Sequence, residues 1–299
     1  MAGLLRNTEP ALRAGWHPVC RADELGGEPL PVQLLGAWWE LRRTGGAVEV
    51  ARGVAPAGLC EAWGMVWLAP EEPAAALLDA PEVGDATYVD GWLTPRVTTA
   101  AAGLYLDNQL DASHFPFVHT TTFGDEADPR VPGYDVKLVP GGFTASVAHA
   151  FRNVLDPGVT TGERPVEQVR RVSYRFALPL QLQLRIDHLQ TGQRTVILFA
   201  TTPRAEGCTA LQVRILRNDV PGHEGYAEQT LPETLAFEDR VVEEDLALQE
   251  RFDLPGLPLE PGLEVPVRTD RCGLELRRAL RALCAARAPG VPAAARAAA

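Results

Sequence analysis

Twelve residues, Asn108-Gln-Leu-Asp111-Ala-Ser-His114-Phe-Pro-Phe-Val-His119, carry an amide, a carboxylate and two imidazoles. Their spacing constrains the fold more than any other stretch of the chain. Asn108, Asp111 and His114 stand at i, i+3 and i+6, so successive members are neighbours on a helix surface. His119 follows His114 by five residues, a step of about 140° around a straight helix. Two imidazoles on such a helix point apart. Pro116 lies between them, and proline kinks or ends a helix because it lacks an N–H and its ring collides with the preceding turn. The stretch therefore predicts a helical element over about 103–119, broken at Pro116, with His119 swung back towards His114. A pair of structural histidines in an aromatic surround of Phe115, Phe117 and Phe123 is the plainer alternative.

If the imidazoles share an ion, the remaining ligand must come from elsewhere. Two histidines and one carboxylate on one face of an ion leave positions open, the ligand set of non-haem Fe(II) oxygen chemistry. Val241, Asp245, Leu248 and Phe252 fall at i, i+4, i+7 and i+11 and read as one helix stripe. A carboxylate on an apolar stripe needs a partner, because burying an unpaired charge is costly. Asp239, near Leu235, Val242 and Leu246, has a similar claim. From the residues alone both stay open, as does a solvated helix acid at either position. Thr230-Leu-Pro-Glu233 has capping-box spacing with proline near the start, so the helix is expected over about 231–252, ending before Pro255.

Strands surround these helices. Pro31–Leu35, Trp38–Arg42 and Val48–Ala51 are candidates, with Gly45-Gly46 marking a hairpin, and Trp63–Leu68 reads as a buried strand. Residues 70–85, rich in proline, alanine and acids, read as a linker. Leu180, Leu182, Leu184 and Ile186 alternate with Gln181, Gln183, Arg185 and Asp187, a period of two with one wet face. Thr195–Ala200 and Leu211–Ile215 continue the sheet.

The pattern N-x-x-D-x-x-H-x4-H resembles the iron site of the Rieske-type oxygenase α subunits, the aromatic-ring hydroxylases and O- or N-demethylases. Glu244-Asp245-Leu-Ala-Leu-Gln-Glu250 looks like that family's late E-D-x-x-(apolar)-x-E segment, whose Asp is a ligand; the resemblance favours Asp245 over Asp239. It implies Fe(2+) on His114, His119 and Asp245. It also implies that Asp111 bridges an iron-ligating histidine to a cluster-ligating histidine of a neighbouring subunit, and places Asn108 as a hydrogen-bonding residue near the metal. The implied fold is α+β of the helix-grip type, a curved antiparallel sheet gripping a long helix near the C-terminus.

The family also carries a [2Fe–2S] cluster on two Cys and two His, supplied as C-x-H and then C-x2-H. The cysteines here are Cys20, Cys60, Cys208, Cys272 and Cys284, and none is followed by His at either offset. His17-Pro-Val-Cys20 has the right residue types in the wrong order, and a core or surface role is expected for both. The flanks persist: Trp16–Leu25 and Pro29–Val32 look like the family's opening strands, Cys60–Leu68 like the segment after the second cluster motif, and Val267–Arg278 like a late segment. The resemblance thus implies residues 1–70 as a remnant of the Rieske lobe without cluster ligands and 71–284 as the mononuclear iron domain. Residues 285–299, rich in Ala, Pro and Arg, are expected to be a disordered tail. Without its own cluster the chain needs electrons from a separate Rieske or ferredoxin-type protein. A homo-trimer or hetero-oligomer is expected, with O2 and a hydrophobic small molecule as substrates, the apolar sheet face lining the cavity.

Charge and composition set outer limits. A net charge of -11 disfavours nucleic acid and anionic membrane surfaces. No apolar run reaches the roughly 18 residues of a membrane helix. Residues 1–6 lack the long apolar stretch of a secretion leader, and five cysteines in no dense framework suggest reduced thiols in a cytoplasm. His149, His188 and His223 are expected to be structural or solvated. Gly141-Gly142 is a turn and not a phosphate loop, and no G-x-S-x-G elbow occurs. Two other function classes stand beside the oxygenase: a helix-grip binding protein or non-redox enzyme, and a non-catalytic partner subunit.

Overall fold

The computed structural model describes residues 3–288 apart from 125, 128, 154, 155 and 261. Its centre is an antiparallel eight-stranded sheet. From one edge the strands are Asp135–Val139, Gly142–Arg152, Glu167–Ala177, Gln181–His188, Arg194–Ala205, Cys208–Asn218 and Tyr88–Trp92, with Arg96–Thr98 also pairing to Cys208–Asn218. Among the described residues five α-helices accompany it: α1 (Ala102–Leu110), α2 (Phe115–Val118), α3 (Pro157–Thr160), α4 (Tyr226–Gln249) and α5 (Arg271–Ala286). This α+β arrangement, with a long helix held against a sheet, is the fold class expected above.

One face of the sheet packs under the helices. Phe143, Phe176, Leu182 and Phe199 join Tyr105 and Leu106 of α1 and Leu276 and Leu280 of α5 in a single core. Phe143 and Phe176 are opposite each other in register and stack at 5.1 Å. Trimming Phe176 to Ala should destabilise the fold by about 3–5 kcal/mol, through lost transfer energy and an unfilled cavity. Chemical denaturation of the two proteins measures this.

The other face carries the N-terminal segment, two three-stranded sheets built from residues 17–69. Trp63, Met65 and Trp67 pack onto Val196, Leu198 and Ala200. The strand Arg194–Ala205 is therefore covered on both sides, which explains its unbroken run of apolar residues.

Five expectations fail. The wet face of Gln181–His188 is partly dry: Gln181 and Gln183 are buried. The 70–85 segment is no free linker but lies over them. Gln181 Oε1 accepts from Leu78 N at 2.8 Å, and Gln183 Nε2 donates to the Asp79 carbonyl at 2.8 Å. Helix α4 begins at Tyr226, before the predicted capping box. The Asp219 carboxylate accepts from the Gly225 and Ala227 amides, both at 2.7 Å, and supplies the cap instead. Pro232 thus sits inside the helix, and Thr230 spends its hydroxyl on the Tyr226 carbonyl at 2.8 Å. The buried stripe of α4 also has another phase. Val242, Asp245 and Gln249 face inward, whereas Phe252 is 47% exposed beyond the helix end. Helix α5 runs to Ala286, into the expected tail; residues 289–299 lie outside the described residues.

Candidate metal centre

The chain breaks before Pro116. Helix α1 ends at Asp111, whose backbone is extended (φ -93, ψ 122). The Asp111 side chain accepts from the Ser113 amide at 2.7 Å, a local bond that competes with helix continuation. Pro116 then sits in the first turn of α2, where a missing N–H is no loss. His114 stands just before this four-residue helix and His119 just after it. One short turn replaces the expected kink and aims both rings at the same point. Gly124 closes the segment: its amide donates to the His119 carbonyl at 2.8 Å, and a Cβ there would meet the Phe115 carbonyl oxygen at 2.3 Å. That close return lays the Phe123 ring on the His119 ring, with centroids 4.6 Å apart.

Three donor atoms converge. His114 Nε2 and His119 Nε2 are 3.1 Å apart, and each is 3.3 Å from Asp245 Oδ1. An ion about 2.1 Å from each of three mutually perpendicular donors would space them about 3 Å apart. The outer atoms fix the protonation. His114 Nδ1 faces Asp111 Oδ2 at 3.3 Å, and His119 Nδ1 faces Glu244 Oε2 at 2.8 Å. Carboxylates at Nδ1 hold the ring proton there and leave both Nε2 lone pairs pointing inward. Two lone pairs and a carboxylate oxygen meeting with no donor between them demand a cation. A proton is one: burial works against a charged His114, but its bonds to Asp111 and Asp245 outweigh this and lift it to about 9. A divalent metal is the other. Among the described residues His114, His119 and Asp245 form the one grouping of this kind.

The site is dry and braced. Asp245 is 2% exposed and His119 1%. Burial alone would raise the Asp245 carboxyl, yet bonds from His114 and His119 hold it well below the usual carboxylate range. Asn108 Nδ2 donates to Asp245 Oδ1 at 2.7 Å and Gln109 Nε2 to Oδ2 at 3.0 Å. Glu244 is braced by the hydroxyls of Thr121 and Thr122. Burial opposes its ionisation, but these bonds and His119 keep the carboxyl below its ordinary range.

Sequence reasoning picked His114, His119, Asp245, Asp111 and Asn108, and the structure brings all five together. Asp239 is elsewhere: it accepts from the Thr94 amide and hydroxyl, both at 3.0 Å, and lies 3.6 Å from Arg96. Glu244 and Gln109 were missed, and Phe123 was placed in the aromatic surround of the histidines, where the structure has it. Glu244 could have been found by asking which acceptor serves the second imidazole.

The remaining candidates do other things. His17 Nε2 lies 2.7 Å from the Leu12 carbonyl, and burial pushes the ring down to about 4. Burial pushes the Cys20 thiol up to about 12, away from thiolate chemistry. His223 makes a bridge to Val220 through its backbone.

Comparison with known proteins agrees with this geometry. The pattern of the vanillate O-demethylase oxygenase C-terminal domain matches residues 98–286. A probable methylxanthine N7-demethylase, NdmC, of Pseudomonas sp. (strain TJI-51) is 25% identical over 269 residues, covering 88% of this chain and 91% of that protein. The structure of NdmA (QL mutant, with caffeine) of Pseudomonas putida CBB5 superimposes with a TM-score of 0.75 at 18% identity, over 98% of this chain and 96% of that one. Dicamba monooxygenase bound to 3,6-dichlorosalicylic acid gives 0.69 at 16% identity, over 93% and 99%. The family match spans well over half of the chain, and the chain belongs to the Rieske-type oxygenases, in the family of the vanillate O-demethylase oxygenase C-terminal domain.

Proposed function

We propose that His114, His119 and Asp245 hold one Fe(II), and that this chain is the oxygen-activating component of an oxygenase that hydroxylates or demethylates a small molecule. The observation that carries the reading is the convergence of two imidazole lone pairs and one carboxylate oxygen, each backed by its own hydrogen-bond partner. Iron held there supplies the place where O2 is reduced, because two His and one carboxylate leave open positions.

The protein groups keep that place in order. Asp111 and Glu244 hold the Nδ1 protons, so neither ring can rotate its lone pair away. Asn108 and Gln109 fix both oxygens of Asp245. Phe115 and Phe123, edge to face at 5.2 Å, wall one side of the imidazoles against water. In a demethylation, one atom of O2 enters a methyl C–H bond and the other leaves as water, consuming two electrons and two protons. The hydroxymethyl product on oxygen or nitrogen then releases formaldehyde.

The electrons come from outside this chain. None of its cysteines has the spacing to histidine that a Rieske cluster uses. Residues 1–70 serve as the remnant of the cluster lobe and 71–284 as the catalytic unit. The donor is a separate Rieske or ferredoxin-type protein, in a homo-trimeric or hetero-oligomeric assembly. Among the described residues no helix is long and apolar enough to cross a membrane.

The test is anaerobic loading with Fe(II), followed by O2 and a reduced ferredoxin. One iron per chain and formaldehyde or hydroxylated product are expected. Undiminished product formation by thoroughly chelated protein would sink the iron assignment, and a [2Fe–2S] absorbance in the isolated chain would sink the external donor. Removing only the His119 brace, Glu244→Ala, should weaken iron retention by about 10- to 100-fold, the range for such outer partners of metal ligands. Competition with a chelator reads this out.

A further inference from the structure

The two oxygens of Asp245 are unequally served. Oδ1 accepts from Asn108 and lies 3.3 Å from each imidazole Nε2. Oδ2 accepts from Gln109 Nε2 at 3.0 Å and, among the described residues, from nothing else. A carboxylate oxygen has room for about two such bonds. Two more polar side chains stand one helical turn from these groups. Tyr105 precedes Gln109 by four residues on α1, and Gln249 follows Asp245 by four on α4. Residues four apart on a helix share a face, so each points the same way as its neighbour at the site.

Both side chains are sealed from solvent: Gln249 is 2% exposed and Tyr105 0%. The Gln249 Oε1 and Nε2 and the Tyr105 hydroxyl have no hydrogen-bond partner among the described residues. Buried amides and hydroxyls are normally bonded to protein or to ordered water, because an unmade bond in the interior loses hydration and regains nothing. Packing alone gives no reason for a glutamine here, since an apolar side chain of the same length would fill the space without that loss. The Tyr105 ring is anchored in the core, edge-on to Phe199 with centroids 6.3 Å apart. Burial lifts its hydroxyl well above the ordinary phenol range, and the Asp245 charge lifts it further. The hydroxyl therefore lies in the field of that carboxylate and stays protonated, a donor.

An internal water needs two to four polar partners, and Oδ2, the Tyr105 hydroxyl and the Gln249 amide supply them. We propose that Gln249 and Tyr105 are positioning residues that hold an internal water against Asp245 Oδ2 and so keep the carboxylate turned with Oδ1 towards His114 and His119. The water donates to Oδ2 and accepts from the Tyr105 hydroxyl. Gln249, which carries both a donor and an acceptor, orients it. With Gln109 and the water on Oδ2, only Oδ1 is free for the ion, so Asp245 gives one oxygen rather than two and one further position stays open for O2. The assignment rests on the reading of His114, His119 and Asp245 as Fe(II) ligands and deepens it.

The test compares Gln249→Met, Tyr105→Phe and the double variant in the full chain. Both changes keep the volume and remove the polar atoms. Competition with a chelator should show each single variant holding Fe(II) about tenfold more weakly, the low end for outer partners of metal ligands. The double variant should lose no more than either single one, because both changes remove the same water. The visible absorption of the Co(II)-loaded proteins should weaken in all three variants, as the second Asp245 oxygen joins the ion and its coordination number rises. Losses that add in the double variant, or an affinity and a Co(II) spectrum that stay as in the wild type, overturn the proposal. So does a Gln249→Met protein whose metal-free form unfolds at higher denaturant with metal binding untouched, the signature of a dry packing site. Tyr105→Phe removes one atom and keeps the Phe199 contact, so it decides the matter if Gln249→Met does not fold. A wild type that takes up neither metal defeats the Fe(II) reading instead. The unfolding free energies of the four metal-free proteins then decide the water: coupling between the two positions supports it, and additivity overturns it.

Discussion

Asp245→Ala should lower iron content from one per chain to below a tenth and cut oxygenase turnover by about a thousandfold or more. The reasoning is geometric. Asp245 Oδ1 is the one atom 3.3 Å from both Nε2 atoms, and it brings the only negative charge in the triangle. Loss of a partner outside the ligand set already weakens metal sites by about 10- to 100-fold, so loss of a charged ligand must do more. The same change leaves Asn108 and Gln109 with no carboxylate to hold. The control is Asp239→Ala, which removes bonds to Thr94 and a contact with Arg96 and should keep a full complement of iron. Elemental analysis of anaerobically loaded proteins distinguishes the two. Full iron in the Asp245→Ala protein would refute the assignment.

The choice between those two acids also marks how far the sequence could be read. The histidine spacing and the need for a break between them were legible in residues 108–119, whereas the residues alone left Asp239 and Asp245 open and only the family resemblance of 244–250 favoured Asp245. The mechanism of the break was not. A proline is a visible helix breaker, but the bond from the Ser113 amide to Asp111 that ends α1 depends on a rotamer no pattern encodes. The buried stripe of α4 was misread for a related reason. Periodicity finds a buried face by its apolar residues, and here that face carries Glu238, Asp245 and Gln249. The side that binds chemistry is the side that looks wet. Gln181 and Gln183 repeat the lesson on the sheet: each looks solvated, and each is buried because an over-lying segment supplies backbone partners.

Asp111→Ala should leave the iron in place and still slow donor-driven turnover by about a hundredfold. One Asp111 oxygen faces the His114 ring at 3.3 Å, and the side chain remains 34% exposed. It is therefore a group that touches a metal ligand on one side and the outside of the protein on the other. The family resemblance implies that this carboxylate bridges to a cluster-ligating histidine of a neighbouring subunit, and we infer that in this chain an external electron donor makes its contact here. Iron affinity should fall by no more than about tenfold, at the low end for such partners, because Asp245 and the Glu244–His119 pair are untouched. The rate with a reduced ferredoxin at saturating concentration should drop, whereas the rate with a small diffusible reductant should not. Asp111→Asn keeps an oxygen for the His114 ring and removes the charge, so it should retain iron as the wild type does and share the loss with ferredoxin. A purely structural Asp111 predicts the opposite: iron lost from Asp111→Ala, and both reductants slowed alike.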